Sequence, residues 1–339
     1  MRAALLGYGF AGKTIHAPLI RGVEGLELVQ VMSGNAPRVH ADLPGMAVTA
    51  SADEVFGNPA VDLVVVATPN STHCDLARRA LVAGKRVVVD KPFTVTSEEA
   101  WQLMALAHAR GLFLSVFHSR RFDADFLTVR ALLERGELGE LVQFESHYDR
   151  YRPTVQNRWR EQAVPGSGIW YDLGSHLVDQ ALLLFGPPES MYADLGVQRE
   201  GGAAVDYFHV LLRYGKLRVI LHGSNLAVAE TPRFVLHGTV GSFVKYGMDT
   251  QEPALRRGEL PGSGDWGSDG RHGTLTTPAG SRTIETLPGD YRAYYEAVRD
   301  GRNPVPAGEA ALVVEVLETL AAVRPSETAL LHSVHGRPR

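Results

Sequence analysis

Two short runs rich in β-branched aliphatic residues constrain the fold of this chain more than any other feature. Residues 61–67 (VDLVVVA) and 86–89 (RVVV) show no regular alternation of apolar and polar side chains. A strand with this pattern is apolar on both faces, which is typical of a parallel strand covered by helices on both sides. Between the runs, residues 73–83 have helical spacing and end at Gly84. The pattern predicts a strand–helix–strand unit within a parallel sheet.

The alternation of strand and helix extends over residues 1–118. It predicts an α/β domain over residues 1–120 with a doubly wound parallel sheet. The rest of the chain, residues 121–339, has short strand patterns separated by turns, and two helices close it. These patterns predict an α+β domain with an open, mostly antiparallel sheet. We expect this second domain to bind the substrate and to carry the contacts of a homodimer or homotetramer, because an exposed sheet face favours association.

Composition narrows the possible partners. The 339 residues are 45% hydrophobic and 21% charged, which leaves room for two cores. A formal net charge of −4 is unlike that of a nucleic-acid binder. No stretch offers about 18 uninterrupted apolar residues, so we expect no membrane span. The single cysteine, Cys74, excludes an intrachain disulfide framework. We therefore predict a cytoplasmic protein that acts on a small molecule.

Residues 7–12 (GYGFAG) form a G-x-G-x-x-G motif between a predicted strand and a predicted helix. In that context the motif is typical of dinucleotide binding. Gly7 allows a tight turn, Gly9 lets the backbone approach a pyrophosphate, and Gly12 lets the helix pack on the strand. Phe10 and Ala11 lie between these glycines, where backbone N–H groups at a helix start bind phosphates. The alternative is an ordinary strand–turn–helix corner.

The end of the second predicted strand indicates which dinucleotide binds. Sites for NAD usually have an acidic residue there, about 20 residues after the glycines, to bind the ribose 2′-hydroxyl. Residues 32–38 (MSGNAPR) contain no acid. Ser33 can donate a hydrogen bond and Arg38 can pair with a 2′-phosphate. We therefore predict NADP in preference to NAD; alternatively, Arg38 is a solvated loop residue.

Two further segments follow buried strands directly, and ligands of such sheets lie beyond the carboxyl ends of the strands. The segment after the first of these strands supplies four candidate cofactor contacts: Thr68, Pro69, Asn70 and His73. The alternative is that this segment is only a turn with a helix cap. The second is Asp90-Lys91-Pro92. Beside a nicotinamide, Lys91 can orient a substrate hydroxyl and lower its pKa. The alternative is a surface lysine before a turn.

Residues 171–179 (YDLGSHLVD) place Asp172 and His176 one helical turn apart. A metal site, a buried histidine satisfied by an acid, and a proton-transfer pair are all compatible with that spacing. No second histidine or cysteine lies near in sequence, so we predict no metal here. Beside a nicotinamide, His176 suits the role of base and Asp172 that of its orienting partner. Asp179 is assigned a structural role.

These motifs together resemble the Gfo/Idh/MocA oxidoreductase family. The glycine loop, Asp-Lys-Pro after a strand, and Gly168-x-x-x-Asp-x-Gly-x-His match in order, and the resemblance covers roughly residues 1–325. It implies a Rossmann domain followed by an open-faced sheet domain. It also implies hydride exchange between a nicotinamide cofactor and a sugar or polyol. The matched catalytic positions are Lys91, Asp172 and His176, with His176 as the acid/base.

Three longer stretches resemble the branch of NADP-dependent scyllo-inositol dehydrogenases: GKTIHAPLI, YDRYRPTVQNRWRE and KYGMDTQEPALRRGELPG. Within the second stretch Tyr148 and Arg152 share a strand face that leads to Trp159 and Arg160. Aromatic and guanidinium groups suit a polyol, although an arginine-rich edge can also be merely solvated. The resemblance implies reduction of scyllo-inosose or the reverse reaction. The alternatives are another sugar or keto-sugar, or a non-catalytic NADP-sensing regulatory protein with this fold.

Overall fold

Six parallel strands form the first sheet of the structure, a computed structural model that describes residues 1–322. Their spatial order is β3-β2-β1-β4-β5-β6. The strands are β1 (Arg2–Leu6), β2 (Glu27–Met32), β3 (Ala47–Thr49), β4 (Leu63–Val66), β5 (Arg86–Asp90) and β6 (Leu114–Phe117). All four residues of β4 are buried, as its unbroken apolar run predicts. The doubly wound parallel sheet is thus confirmed.

Helices connect these strands. They are α1 (Ala17–Arg21), α2 (Ala36–Asp42), α3 (Ala52–Gly57), α4 (His73–Val82) and α5 (Ser97–Ala109). A wide π-helical turn, Ala11–His16, precedes α1, so the first helical segment begins within the glycine motif. Helix α6 (Ala124–Glu134) follows the last strand of the sheet.

The second sheet has eight strands in the order β14-β13-β12-β11-β7-β10-β9-β8. They are β7 (Leu141–His147), β8 (Ser190–Gly196), β9 (Tyr207–Tyr214), β10 (Leu217–Ser224), β11 (Phe234–Gly238), β12 (Ser242–Lys245), β13 (Gly273–Thr277) and β14 (Gly280–Ile284). Only β7 and β10 pair in parallel. The mostly antiparallel sheet of the prediction is therefore confirmed.

The two faces of the second sheet differ in burial. One face of the sheet carries fully buried side chains such as Phe144, Phe208 and Phe243. The helix α7 (Ser175–Phe185) belongs to the same structural unit as this sheet. On the other face, Glu145, Leu211 and Ile220 stay partly exposed in the single chain. The alternation along each strand produces this difference, because successive side chains point to opposite faces.

Later segments of the chain complete the first unit, which consists of residues 1–128, 249–270 and 286–314. They contain α8 (Gln251–Arg256), α9 (Arg292–Arg299) and the start of α10 (Ala307–Ala322). Tyr294 is fully buried, donates a hydrogen bond to Ser115 Oγ at 2.8 Å and packs its ring edge-on to Phe117. Residues 129–248, 271–285 and the described chain from Glu315 onward form the second unit.

The predicted domain boundary at residue 120 remains a prediction, and residues 323–339 of the predicted second domain lie outside the described part. Within residues 1–322, no helix is both long and apolar enough to cross a membrane.

Candidate active site

The glycine motif joins β1 to the π-helical turn, and each glycine meets a different constraint. Gly7 has φ +95°, and a Cβ on it would lie 2.6 Å from the carbonyl oxygen of Ala67. A Cβ on Gly12 would lie 2.1 Å from the carbonyl oxygen of Gly7. A Cβ on Gly9 would have no atom within 4 Å. The loop is therefore closed at its two ends and open in front of Gly9, as close approach of a pyrophosphate requires.

Phe10 and Ala11 follow Gly9. The Phe10 ring is 41% exposed, and the guanidinium carbon of Arg256 lies 4.3 Å from its centroid. Glu252 holds the Arg256 side chain through two hydrogen bonds of 2.7 and 3.1 Å. Sequence reasoning missed this neighbour of the glycine loop, although α8 lies in a stretch that resembles the dehydrogenase branch. A cation therefore stands beside the place predicted for the cofactor phosphates.

The end of β2 forms a tight polar turn. Ser33 Oγ accepts the backbone N–H of Asn35 at 3.1 Å, and Asn35 Oδ1 caps α2 by accepting the N–H of Arg38 at 3.0 Å. The Arg38 side chain is exposed. This arrangement directs Ser33 and Asn35 to the local backbone and leaves the Arg38 guanidinium in solvent, where it can pair with a phosphate.

One acidic residue in this region was not singled out from the sequence. Asp42, at the end of α2, forms an ion pair with Lys13 at 2.7 Å. Burial and the nearby Asp42 carboxylate raise the pKa of Tyr8, inside the glycine motif, to about 12. Because Lys13 balances the charge of Asp42, the carboxylate does not by itself exclude a 2′-phosphate from this part of the unit.

The turn after β4 is held by hydroxyl groups and one buried histidine. The Oγ1 atoms of Thr68 and Thr72 lie 2.7 Å apart, and Thr72 Oγ1 donates to the carbonyl of Pro69 at 2.7 Å. Asn70 is buried at the start of a short 3₁₀ turn. His73 Nε2 lies 3.0 Å from the carbonyl oxygen of Thr68, and Nδ1 lies 2.9 Å from that of Pro92. The ring therefore bridges the turns that follow β4 and β5.

Burial lowers the pKa of His73 despite the opposing effects of Asp90 and the backbone carbonyls. A neutral imidazole has one N–H, so it donates to one of the two carbonyls at a time. We predicted a cofactor contact for His73. In the structure, the imidazole instead bonds the backbone carbonyls of Thr68 and Pro92. His73 can therefore hold in place the two turns that carry Thr68 and Lys91.

Asp90 and Lys91 end β5. Asp90 Oδ1 accepts the backbone N–H of Lys91 at 2.8 Å and lies 3.7 Å from His16 Nε2. Burial would raise the pKa of Asp90, but His16 and Lys91 outweigh it and lower the pKa. Lys91 is half-buried, and its charge also helps to lower the pKa of Glu252 against the effect of burial. The Asp90 carboxylate thus fixes the backbone of Lys91, while the ammonium lies in the field of two acids.

In the second unit, a π-helical turn (Trp170–Gly174) carries Asp172 and leads into α7, whose first turn carries His176. Trp170 is buried, donates from Nε1 to the carbonyl of Leu317 at 2.9 Å, and packs so close to Gly174 that a Cβ there would lie 2.3 Å from its ring. Asp172 remains about one-quarter exposed, and His176 is 6% exposed. The two residues therefore stand on consecutive turns of a rigidly packed segment.

The arginine-rich segment continues from β7 along β10. The backbone N–H groups of Tyr148, Arg150 and Arg152 donate to the carbonyls of His222, Ser224 and Asn225, respectively. The backbone of this segment is therefore held beside the end of β10. Arg150 Nε donates to Asn225 Oδ1 at 2.8 Å. Burial lowers the pKa of Arg150, and the nearby Asp172 carboxylate opposes this shift.

Trp159 and Arg160 lie in a 3₁₀ turn of the same segment. The Arg160 guanidinium carbon is 4.9 Å from the Trp159 ring centroid, and its Nε lies 3.9 Å from Asp172 Oδ1. The structure thus brings Arg150 and Arg160 near Asp172. Arg152 is exposed and belongs to the same segment through its backbone.

A buried ion-pair network anchors this segment, and sequence reasoning missed it. Arg199 pairs with Asp206 at 2.8 Å and with Glu161 at 3.2 Å, and its Nη1 donates to the carbonyl of Arg152 at 3.1 Å. All three side chains of the network are less than one-tenth exposed. No sequence spacing indicates that Arg199 and Glu161 meet, because they lie on segments far apart in the chain.

Comparisons with known proteins agree with this architecture. Residues 1–118 match the model of the Gfo/Idh/MocA family described as the NAD-binding Rossmann fold of an oxidoreductase family. Residues 130–337 match the model of the C-terminal alpha/beta domain of that oxidoreductase family. Together the two matches cover more than half of the chain.

Individual relatives match over nearly the whole length. The Escherichia coli protein named uncharacterized oxidoreductase YdgJ is 53% identical over 327 residues, which cover 94% of each chain. The Bacillus subtilis scyllo-inositol 2-dehydrogenase (NADP(+)) IolW is 41% identical and covers 94% of this chain and 92% of its own. The crystal structure of an oxidoreductase from Bacillus cereus superposes with a TM-score of 0.91 at 32% identity and covers 99% of both chains. The chain therefore belongs to the Gfo/Idh/MocA family of oxidoreductases.

Proposed function

We propose that this oxidoreductase is an NADP-dependent dehydrogenase/reductase that exchanges a hydride between the nicotinamide cofactor and a CH–OH group of a polyol or sugar. The glycine loop, closed at Gly7 and Gly12 and open at Gly9, is the observation that carries the proposal. We further propose scyllo-inositol, or its keto form scyllo-inosose, as the first substrate to test. The name of the relative IolW, at 41% identity, supports both the cofactor and the substrate.

The choice of NADP rests on the end of β2. Residues 32–38 contain no carboxylate, Arg38 is exposed on the first turn of α2, and Lys13 pairs with the nearby acid Asp42. A 2′-phosphate carries negative charge and accepts hydrogen bonds from a guanidinium group. We therefore assign Ser33 and Arg38 to the adenosine end of the cofactor, and Thr68, Pro69, Asn70 and Asp90 to the strand ends that line its path.

Bound NADP⁺ would supply the hydride acceptor. In our proposal Lys91 donates a hydrogen bond to the substrate hydroxyl and favours its deprotonation. His176 accepts the hydroxyl proton on a ring nitrogen, because imidazole titrates near neutral pH. Asp172 orients that ring and stabilises its protonated form. In the reductive direction, His176 returns the proton to the keto oxygen.

The substrate would contact the arginine segment. Arg150 is half-buried and bonds the amide of Asn225, so further guanidinium N–H groups can donate to substrate hydroxyls. Trp159 can stack against the apolar face of a sugar ring, and Tyr148, Arg152 and Arg160 supply polar contacts in this assignment. Assembly into a homodimer or homotetramer through the partly exposed face of the second sheet also belongs to the proposal. A cytoplasmic location suits the free thiol of Cys74.

A parallel screen tests the proposal. The full-length protein is assayed with scyllo-inosose and other keto-sugars plus NADPH or NADH, and with inositol isomers and aldoses plus NADP⁺ or NAD⁺. We expect turnover with NADP(H) and an inositol or its keto form. Lys91→Ala and His176→Ala should each lower kcat by about 10²–10⁴-fold, the range expected when a positioned proton-transfer group is lost. Both variants should still bind NADPH in a fluorescence titration.

Two exposed residues supply matched controls. Lys216 has a side chain that is 80% exposed, and His108 lies on the exposed face of α5, so Lys216→Ala and His108→Ala should keep wild-type turnover. Wild-type kcat in both active-site variants would overturn the catalytic assignment. A clear preference for NADH would overturn the assignment of Ser33 and Arg38.

A further inference from the structure

Two histidines and one aspartate, residue types that can bind metal ions, meet on the partly exposed face of the second sheet. His147 ends β7, and its register partner on β10 is His222. Asp149 follows two residues after His147. One ligand atom from each of these residues lies within 4.8 Å of the others. We call His147, Asp149 and His222 the histidine cluster.

The carboxylate of Asp149 lies between the two rings. Its Oδ1 is 2.9 Å from His222 Nδ1, and its Oδ2 is 3.7 Å from His147 Nδ1. Thr231 Oγ1 donates to Oδ2 at 2.8 Å and so fixes the carboxylate plane. The Asp149 side chain is 3% exposed, whereas the two histidine side chains are about one-fifth exposed. The carboxylate is thus held in place beneath two partly exposed histidine rings.

The shortest contact in the cluster is not a well-directed hydrogen bond. His222 Nδ1 and Asp149 Oδ1 are buried atoms, and neither has a hydrogen-bond partner of acceptable geometry although they lie 2.9 Å apart. Buried polar atoms without a directed partner are rare in folded proteins, and a bound ion is one of the explanations for them. A cation that contacts both lone pairs would satisfy the two atoms at once.

A second carboxylate supports His147 from behind. Glu145 Oε2 lies 2.9 Å from Nε2 of His147, on the opposite side of the ring from Asp149. Histidines that bind metals generally donate their other ring N–H to a carboxylate or carbonyl, which fixes the tautomer and the ring orientation. Glu145 therefore prepares Nδ1 of His147 to face the cluster as a lone pair.

We propose that the histidine cluster binds one divalent cation of the Zn²⁺ type through His147 Nδ1, His222 Nδ1 and the Asp149 carboxylate. Two imidazoles and one carboxylate form a ligand set that zinc accepts, with a solvent molecule in the fourth position. Zinc binds imidazole nitrogen and carboxylate oxygen at about 2.0–2.2 Å, so the three ligand atoms, which now lie within 4.8 Å of one another, would converge on the ion. The ion would cross-link β7 and β10 at the base of the arginine segment. The proposal does not depend on the cofactor or on the substrate.

Zinc binding to the chelator-treated, full-length protein without a histidine tag tests this inference. Zn²⁺ is titrated in competition with a chromophoric chelator, and Co²⁺ is added separately to record visible absorption. We expect one equivalent of Zn²⁺, intense Co²⁺ bands of a four-coordinate site, and a higher Tm with Zn²⁺. His222→Ala and His147→Ala should abolish the stoichiometric binding. Glu145→Gln should weaken it by about 10–100-fold, as loss of such an outer partner does elsewhere.

His209→Ala is the matched control, because His209 is paired with His222 across β9 and β10 and its ring centroid lies 5.8 Å away. This variant should bind Zn²⁺ as the wild type does. Absence of stoichiometric Zn²⁺ binding by the wild type would overturn the proposal. Equal affinity in wild type, His147→Ala and His222→Ala would overturn it as well, since the ion would then bind elsewhere.

Discussion

The three glycines of the loop are required for three different physical reasons. Gly7 adopts a φ of +95°, a region that L-residues with a side chain rarely adopt. Gly12 leaves no space for a Cβ, because the carbonyl oxygen of Gly7 would lie 2.1 Å from it. Gly9 has ample space and an ordinary φ, so the fold alone does not explain a glycine there. The cofactor is the explanation that we propose for Gly9.

Alanine substitutions separate folding from cofactor binding in this loop. Gly12→Ala should destabilise the protein by about 1–3 kcal/mol or more, because the clash is with backbone that cannot rotate away. Gly9→Ala should change the free energy of unfolding by less than about 0.5 kcal/mol, as exposed substitutions usually do. It should nevertheless raise the Kd for NADPH. Urea denaturation and fluorescence titration measure the two quantities.

The opposite pattern would be informative. If Gly9→Ala binds NADPH as tightly as the wild type, the pyrophosphate does not approach the backbone at Gly9, and the proposed position of the cofactor is wrong. Similar destabilisation by both substitutions would contradict the difference in space that the structure shows around Gly9 and Gly12.

Connections between elements position the strand ends. The ring of His73, the first residue of α4, lies between the carbonyls of Thr68 and Pro92, so one side chain links the turns after β4 and β5. Asp90 similarly bonds the N–H of Lys91. The position of Lys91, which we assign to catalysis, therefore depends on His73 and Asp90. Neither of these two residues needs to contact a substrate.

This link should make stability depend on pH. Burial lowers the pKa of His73 in the folded state, so below the unfolded value of about 6.5 the unfolded chain binds more protons. The contribution of neutral His73 to the free energy of unfolding is fully present above pH 6.5 and is lost as the pH falls below that value. His73→Gln should remove up to about 1.4 kcal/mol of the stability difference between pH 7.5 and pH 5.5. Urea denaturation of wild type and variant at both pH values measures it.

The exposed residue His108 provides the comparison for this prediction. His108→Gln should leave the difference between the two pH values as it is in the wild type. If His73→Gln also leaves it unchanged, His73 titrates similarly in the folded and unfolded states and does not contribute to acid sensitivity.

At the scale of the whole molecule, the second sheet presents a broad face for association. Across neighbouring strands, Val235, Glu145, Ile220, Leu211 and Tyr192 are in register with one another. Four of these five side chains are apolar or aromatic, and all remain at least partly exposed in the single chain. A second copy of the chain is the partner that we propose for this face, because oligomers of soluble proteins are mostly symmetric homo-oligomers.

A charge on this face should prevent association. Leu211→Arg should reduce the mass in solution from that of a dimer or tetramer to that of one chain, because an unpaired charge would be buried at the contact. Multi-angle light scattering after size-exclusion chromatography measures the mass. Val228→Arg is the control, since Val228 is 76% exposed and lies outside the strands. A monomeric wild type would refute the proposed assembly.

The sequence by itself determined the elements whose signal is local. The apolar runs of β4 and β5 predicted buried parallel strands, the glycine spacing predicted a strand–turn–helix loop, and the alternation after residue 140 predicted an open antiparallel sheet. These features follow from side-chain periodicity and from glycine's lack of a Cβ, both of which can be read within a few residues. The family assignment, confirmed by both domain models, rests on the same local motifs.

Only the tertiary structure decided which distant residues meet. Arg256 beside Phe10, Arg199 with Glu161, Tyr294 against Phe117, and the histidine cluster each join segments that are far apart in the chain. No periodicity encodes such contacts, because strand order and register set them. His147 and His222 come together because β7 and β10, although 70 or more residues apart, pair in parallel at the centre of the sheet.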